Sequence, residues 1–118
     1  MRGRTNAVSV QSSKLDTWTQ NVHVEYSDTT TTQAVTLTGE AESVSSFGRY
    51  SNSNYVGGFM CARNGDSYGE ARYTYPASLD TVYISGELSR DGKTITLTLR
   101  SVGGSGDTNI TLYCVGKK

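Results

Sequence analysis

Proline occurs once in this 118-residue chain, at Pro76; histidine once, at His23; tryptophan once, at Trp18; and cysteine only twice, at Cys61 and Cys114. Each shortage excludes something. With a single imidazole, only His23 could serve a Ser/His/Asp or Cys/His arrangement. It sits between Val22 and Val24 on the outward parity of a strand, which reads as a solvated residue rather than a general base. Two cysteines 53 positions apart are too few and too far from CxxC spacing to hold a structural zinc. They read first as two small buried thiols, with a disulfide between Cys61 and Cys114 as the second reading. No apolar run approaches the length of a membrane span, so membrane insertion is not expected. The charged start Met1-Arg2-Gly3-Arg4 is followed by no apolar h-region, so no secretory signal is expected in this chain. Eleven basic and eleven acidic residues cancel, which argues against a protein built mainly to neutralise nucleic acid or coat an anionic membrane.

Apolar residues at 35% and charged residues at 19% are both below globular averages, and Ser, Thr, Gly and Tyr fill the gap. That mixture suits exposed β-structure. The length fits one domain, residues 1–118, able to bury an ordinary core without a metal.

Alternation with period two dominates the pattern. Val8 and Val10 share a parity, and Ser12-Ser13-Lys14-Leu15-Asp16 could turn the chain into a strand near residues 17–27, where Trp18, Val22, Val24 and Tyr26 point together. Thr29 to Thr32 read as a connection before a strand carrying Val35 and Leu37, which Gly39 ends. Leu37, Ala41 and Val44 give the one hint of helical spacing, enough for a helix of one or two turns. The run from Phe47 to Gly58, small polar residues and Gly between tyrosines, reads as a long surface loop. Asn64-Gly65-Asp66 between Val56–Arg63 and Tyr68–Tyr75 is a strong hairpin signal, because both central turn positions favour positive φ. Pro76 ends the second of these strands. A three-strand meander follows, marked by Val82, Ile84 and Leu88, then Ile95, Leu97 and Leu99, then Ile110, Leu112 and Cys114, with turns at Arg90-Asp91-Gly92 and Gly103 to Asp107. The expected fold is an all-β antiparallel β-sandwich, or barrel-like variant, of about eight strands with at most one short helix.

Catalytic inventories fail one after another. Cys61 lies in apolar Phe59-Met60-Cys61-Ala62, and Cys114 lies between Tyr113 and Val115; both contexts favour burial over an activated thiolate. Glu70 with Glu25 or Glu87 could in principle supply paired carboxylates, but Glu70 and Glu87 occupy the polar parity where any sheet keeps its charges. Gly103-Gly104-Ser105-Gly106 has no following helix to complete a phosphate site and reads as a flexible hairpin tip. Asn64, Asp66 and Glu70, like Asp80 and Asp91, lack calcium-loop spacing, and turn chemistry explains the Asn and Asp positions. No catalytic residue, metal or cofactor is assigned, and an enzyme is the least favoured class.

Eight tyrosines against two phenylalanines are the informative excess. Tyr among Ser, Asn and Gly is the composition of adaptable binding surfaces. Tyr50, Asn52, Asn54 and Tyr55 are therefore the candidate ligand-binding residues, with a self-packed polar loop as the competing reading. Tyr73 and Tyr75 share the parity of Ala71 and read as a tyrosine-lined core face. Tyr83 and Tyr113 stand opposite Val82/Ile84 and Leu112/Cys114, on the second face of their sheets, and are candidates for a subunit interface.

The stretches Tyr55-Val56-Gly57-Gly58-Phe59, Glu70 to Pro76, Val82 to Leu97 and Ile110 to Gly116 resemble the carboxy-terminal modules of bacteriophage tail-fibre and receptor-binding proteins. The resemblance implies a β-sandwich at the tip of a homotrimer in the virion, binding a host-surface saccharide or protein through loops. The long amino-terminal shaft of such proteins is not in this sequence, which reads either as a fragment cut from a longer fibre or as a small virion protein in its own right. A small phage coat or decoration subunit is the alternative; there Arg2, Arg4, Lys117 and Lys118 would suit contact with nucleic acid inside a shell. A monomeric carbohydrate-binding module is a third reading, weakened because the parity of Trp18 predicts its burial.

Overall fold

The computed structural model describes residues 14–50, 54–75 and 80–118. Nine strands run in chain order: β1 (Asp16–Tyr26), β2 (Thr31–Thr36), β3 (Glu40–Arg49), β4 (Tyr55–Ala62), β5 (Ser67–Gly69), β6 (Ala71–Thr74), β7 (Thr81–Leu88), β8 (Thr94–Val102) and β9 (Gly106–Lys117). They form two antiparallel sheets, ordered β1-β9-β3-β4-β5 and β2-β8-β7-β6, packed face to face. The expected all-β sandwich is what the chain builds, with one strand more than anticipated and no helix among the described residues.

Alternation carries most of the core. Val22, Val24 and Tyr26 of β1, Val82, Ile84 and Leu88 of β7, Ile95, Leu97 and Leu99 of β8 and Ile110, Leu112 and Cys114 of β9 all point inward and are buried. Trp18 joins them, as its parity predicts. The proposed Val8/Val10 strand lies outside the described residues, as does Pro76.

Three expectations need correction, each for a physical reason. The helical spacing of Ala41 and Val44 is a β-bulge: the register of β3 on β9 shifts between Ala41 and Ser43, so two inward residues fall three apart within one strand. The supposed loop from Phe47 to Gly58 is mostly the β3–β4 ladder, in which Phe47 faces Gly58, Gly48 faces Gly57 and Arg49 faces Tyr55. The strand expected at Tyr68–Tyr75 is two strands in different sheets. Gly69, at φ 76°, turns the chain from β5 in the first sheet to β6 in the second. The hairpin expected at Asn64-Gly65-Asp66 forms, but its central turn residues are Arg63 and Asn64 rather than Asn64 and Gly65: the Gly65 N–H donates to the Ala62 carbonyl at 3.0 Å, Gly65 follows at φ 100°, and the Asn64 side chain accepts from the Asp66 N–H at 2.9 Å.

Side chains close the flank where edge strands β1 and β2 meet. The Gln20 amide donates to the Thr36 carbonyl at 2.9 Å and accepts from the Thr38 N–H at 3.0 Å, while the Gln33 amide donates to the His23 carbonyl at 2.9 Å. Two glutamines thus occupy backbone groups that would otherwise offer an unpaired edge to another chain.

Cys61 and Cys114 remain separate thiols, so the disulfide reading falls. Both sit opposite Val44, Cys61 on β4 and Cys114 on β9, with β3 between them. Two strand spacings amount to about 9.6 Å, beyond the roughly 7 Å Cα limit for a disulfide. Burial pushes each thiol up to about 11, and the Cys61 thiol donates to the Val44 carbonyl. Neither has the character of a nucleophile.

Candidate functional site

The first sheet splits. β3 pairs with β9 only as far as Ser45 opposite Tyr113; beyond that rung β9 continues with β1 alone and β3 with β4 alone. Small inward residues make the divergence possible. Ser46 is fully buried, donates to the Thr111 carbonyl at 2.8 Å and lies 3.2 Å from the Tyr73 hydroxyl. Gly48 packs directly on the backbone of Arg72 in β6, where a Cβ would overlap main-chain atoms. The end of β3 is thereby drawn onto the second sheet and away from β9.

A cleft of about 400 Å³ opens at the split, within the size range of small-ligand sites. Phe47, Arg49, Tyr50 and Tyr55 line it from the β3–β4 side, and Thr108, Asn109, Thr111 and Tyr113 from β9. Tyr73 on β6 and Tyr75 just past the end of that strand line it from beneath. The Tyr73 and Tyr75 rings stand 6.4 Å apart and 8° from parallel, and Tyr26 continues the series 6.2 Å beyond Tyr75 at 7°. Such spacings belong to attractive offset aromatic pairs. At the rim, Phe47 meets Tyr55 edge-on at 6.1 Å and Tyr113 at 5.9 Å. The Arg49 guanidinium lies 5.2 Å from the Tyr55 ring centre and donates to its hydroxyl at 3.3 Å.

Of the sequence-derived ligand-binding residues, Tyr50 and Tyr55 do line this cleft. Asn54 closes the hairpin between them, its carbonyl accepting from the Tyr50 N–H at 2.7 Å. Asn52 lies outside the described residues. Tyr113, a candidate for a subunit interface, belongs to the same aromatic group through Phe47. Tyr83 stands on the outer face of the opposite sheet, so Tyr83 and Tyr113 do not share a patch. Phe47, Arg49, Asn109 and Thr111 escaped the sequence reading. The signal that could have found Phe47 is an inverted alternation, in which Ser46 and Gly48 occupy the inward positions and the phenylalanine the outward one.

Beneath the cleft the tyrosine series ends at a buried carboxylate. The Tyr26 hydroxyl donates to Asp80 at 3.2 Å. The glycine-rich segment before β9 closes over this pair: a Cβ on Gly103, itself at φ 120°, would come within 2.8 Å of the Asp80 carboxylate, and one on Gly106 within 2.6 Å of the Tyr26 hydroxyl. One side of the glycine-rich tip thus packs on Tyr26 and Asp80, while Val102, Gly103, Ser105 and Gly106 remain exposed.

Burial holds the Tyr26, Tyr73 and Tyr75 phenols above their ordinary value, reinforced at Tyr26 by its hydrogen bond to the Asp80 carboxylate and by that group's charge. An acid whose folded value exceeds its unfolded one stabilises the fold fully below the unfolded value, about 10 for tyrosine, and that contribution is lost as pH rises through the folded values. Melting temperature should therefore decline above about pH 10, with the Tyr26, Tyr73 and Tyr75 phenols ionising above the ordinary tyrosine value by phenolate absorbance of single-tyrosine replacements. Ionisation of these three at the ordinary value would contradict the assignment.

Among the described residues, the cleft lining contains no carboxylate, imidazole or thiol. His23 is on the outer surface, 3.0 Å from Asn109 and 3.7 Å from Asp107. No group of three potential metal-binding side chains stands together among the described residues. The Asn64 and Asp91 side chains bond within their own turns. No described helix is long and apolar enough to cross a membrane. Comparison of the chain with protein-family models, with curated proteins and with solved structures found no match.

Proposed function

We propose that the chain is a non-enzymatic adhesive module of a phage virion that recognises a host-surface saccharide at the cleft between β3 and β9. One observation carries the binding part of this reading: the sheet opens into a cavity whose walls are aromatic rings and whose polar side chains, among the described residues, are hydroxyls, an amide and a guanidinium. Sugars present apolar C–H faces ringed by hydroxyls, and the negative face of an aromatic ring attracts those C–H groups. A few placed polar groups then fix orientation. The virion and tail-tip part rests on the tail-fibre resemblance.

The test is binding to a glycan array and to intact host cells by the wild-type chain and a Tyr55→Ala/Tyr113→Ala variant. Both residues are well exposed, at 62% and 40%, so melting temperature should hardly move. Affinity should fall at least about tenfold, the loss of some 1.4 kcal/mol of contact. Equal binding by both chains would remove the cleft from the function.

A self-assembling coat or decoration subunit is a second reading, favoured by the continuation of the apolar surface away from the cleft. Met60 and Tyr68 face each other across β4 and β5 and are 54% and 64% exposed. Solution mass separates the two, a trimer supporting the tail tip and a megadalton particle supporting the shell.

A further inference from the structure

The outer face of the second sheet carries a rung that the cleft does not use. Arg72 on β6, Tyr83 on β7 and Arg100 on β8 are directly cross-strand, and both guanidiniums lie against the one ring, Arg100 at 4.1 Å from its centre and Arg72 at 5.9 Å. Neither cation has a carboxylate within ion-pair distance, although every aspartate and glutamate of the chain is among the described residues. The nearby rungs add hydroxyls from Thr74 and Thr81 on one side and from Ser85, Thr98 and Thr32 on the other.

From this arrangement we propose that Arg72, Tyr83 and Arg100 form a binding site for an acidic saccharide, a sugar chain bearing carboxylate or sulfate groups. Two like charges held against one ring repel each other, and an oxyanion between or beside them relieves that repulsion. Guanidiniums clamp oxyanions through paired N–H donors, and contact with the Tyr83 ring holds both of them over one place on the sheet. The flanking hydroxyls suit sugar hydroxyls. A nucleic-acid strand fits less well. Its affinity comes from neutralising many phosphates, and this rung offers two cations in a chain of zero net charge. The site is on the outer face of the second sheet, whose β6 also floors the cleft through Tyr73, and its binding is tested separately from the cleft.

The experiment measures binding of the full chain to oligogalacturonate, to a heparin-derived oligosaccharide, to an uncharged malto-oligosaccharide and to an oligothymidylate, at about 0.05 and 0.15 M salt, across which Debye screening tightens. Either acidic oligosaccharide should bind, more weakly at the higher salt. An Arg72→Gln/Arg100→Gln variant should lose at least tenfold, Tyr83→Phe should retain binding and Tyr83→Ala should lose it. The Tyr55→Ala/Tyr113→Ala variant should bind the acidic sugar like wild type, which separates this site from the cleft. Unchanged melting temperatures establish that each variant is folded, and should Tyr83→Ala unfold, the arginine pair alone decides. Equal affinity for the neutral sugar, no binding of either acidic one, or no loss in the arginine variant would overturn the proposal. So would tighter binding of oligothymidylate with a salt dependence exceeding two phosphate contacts.

Discussion

Phe59→Ala should cost about 3–5 kcal/mol of stability, the range for truncating a buried phenylalanine. Phe59 is 1% exposed on the inner face of β4, and its ring lies over Gly86 of β7 and close to Ile95 of β8. Gly86 leaves the space the ring fills: a Cβ there would approach the ring to 2.6 Å. Truncation therefore opens a void between two backbones that cannot collapse without moving whole strands. Against a total of about 5–15 kcal/mol for a domain of this size, the loss is a large fraction. The denaturant midpoint should fall with the m-value unchanged, and melting should drop by about 10–20 °C. Gly86→Ala in the Phe59→Ala background should recover part of the loss while destabilising the wild type. Strict additivity of the two changes would contradict the packing described.

Gly48→Val should be nearly as damaging and should also erase the cleft. The added side chain would meet the N, C and O atoms of Arg72, main-chain atoms that no rotamer change can displace. Overpacking relieved by side-chain repacking costs about 1–3 kcal/mol, so about 3 kcal/mol is the expected floor here. The end of β3 must lift from β6, carrying Phe47 and Arg49 away from Tyr73 and Tyr75. The saccharide binding proposed for the cleft should then be lost even below the melting temperature. Gly57→Ala, one rung across on β4, meets only the Glu70 carbonyl at 3.3 Å and should be far milder. Comparable losses from the two substitutions, read from denaturant midpoints, would show that close sheet contact at Gly48 is not what shapes the site.

Part of the candidate site is legible in the sequence. Tyr50 and Tyr55 stand out because tyrosines among Ser, Asn and Gly have no core to serve, whereas Tyr73 and Tyr75, by the parity of Ala71, read only as a core face, and the structure places them under the cleft. Phe47 was hidden for the converse reason. Sequence periodicity locates the buried face by its apolar residues, and at this end of β3 the buried positions are Ser46 and Gly48. The strand consequently resembled a loop. The bulge at Ala41–Ser43 produced a false helical period for a similar reason, since one extra residue converts a spacing of two into a spacing of three.

What the sequence determined by itself is the class of fold and most of its core. Alternation along β1, β7, β8 and β9 is a local property, because successive side chains of any strand point to opposite faces whatever the strand pairs with. Turn chemistry at Asn64-Gly65 and Asp91-Gly92 is equally local, set by which residues tolerate positive φ. Only the tertiary structure decided which strands are neighbours: that β9 leaves β3 at Tyr113 to follow β1, that Gly69 sends β6 to the other sheet, and that Cys61 and Cys114 are kept apart by β3. Those outcomes depend on approach between segments distant in the chain, such as Gly48 against Arg72, and no single strand's pattern encodes its partner. The cleft exists at such a divergence, so its aromatic groups could be suspected singly in the sequence but assembled only in the fold.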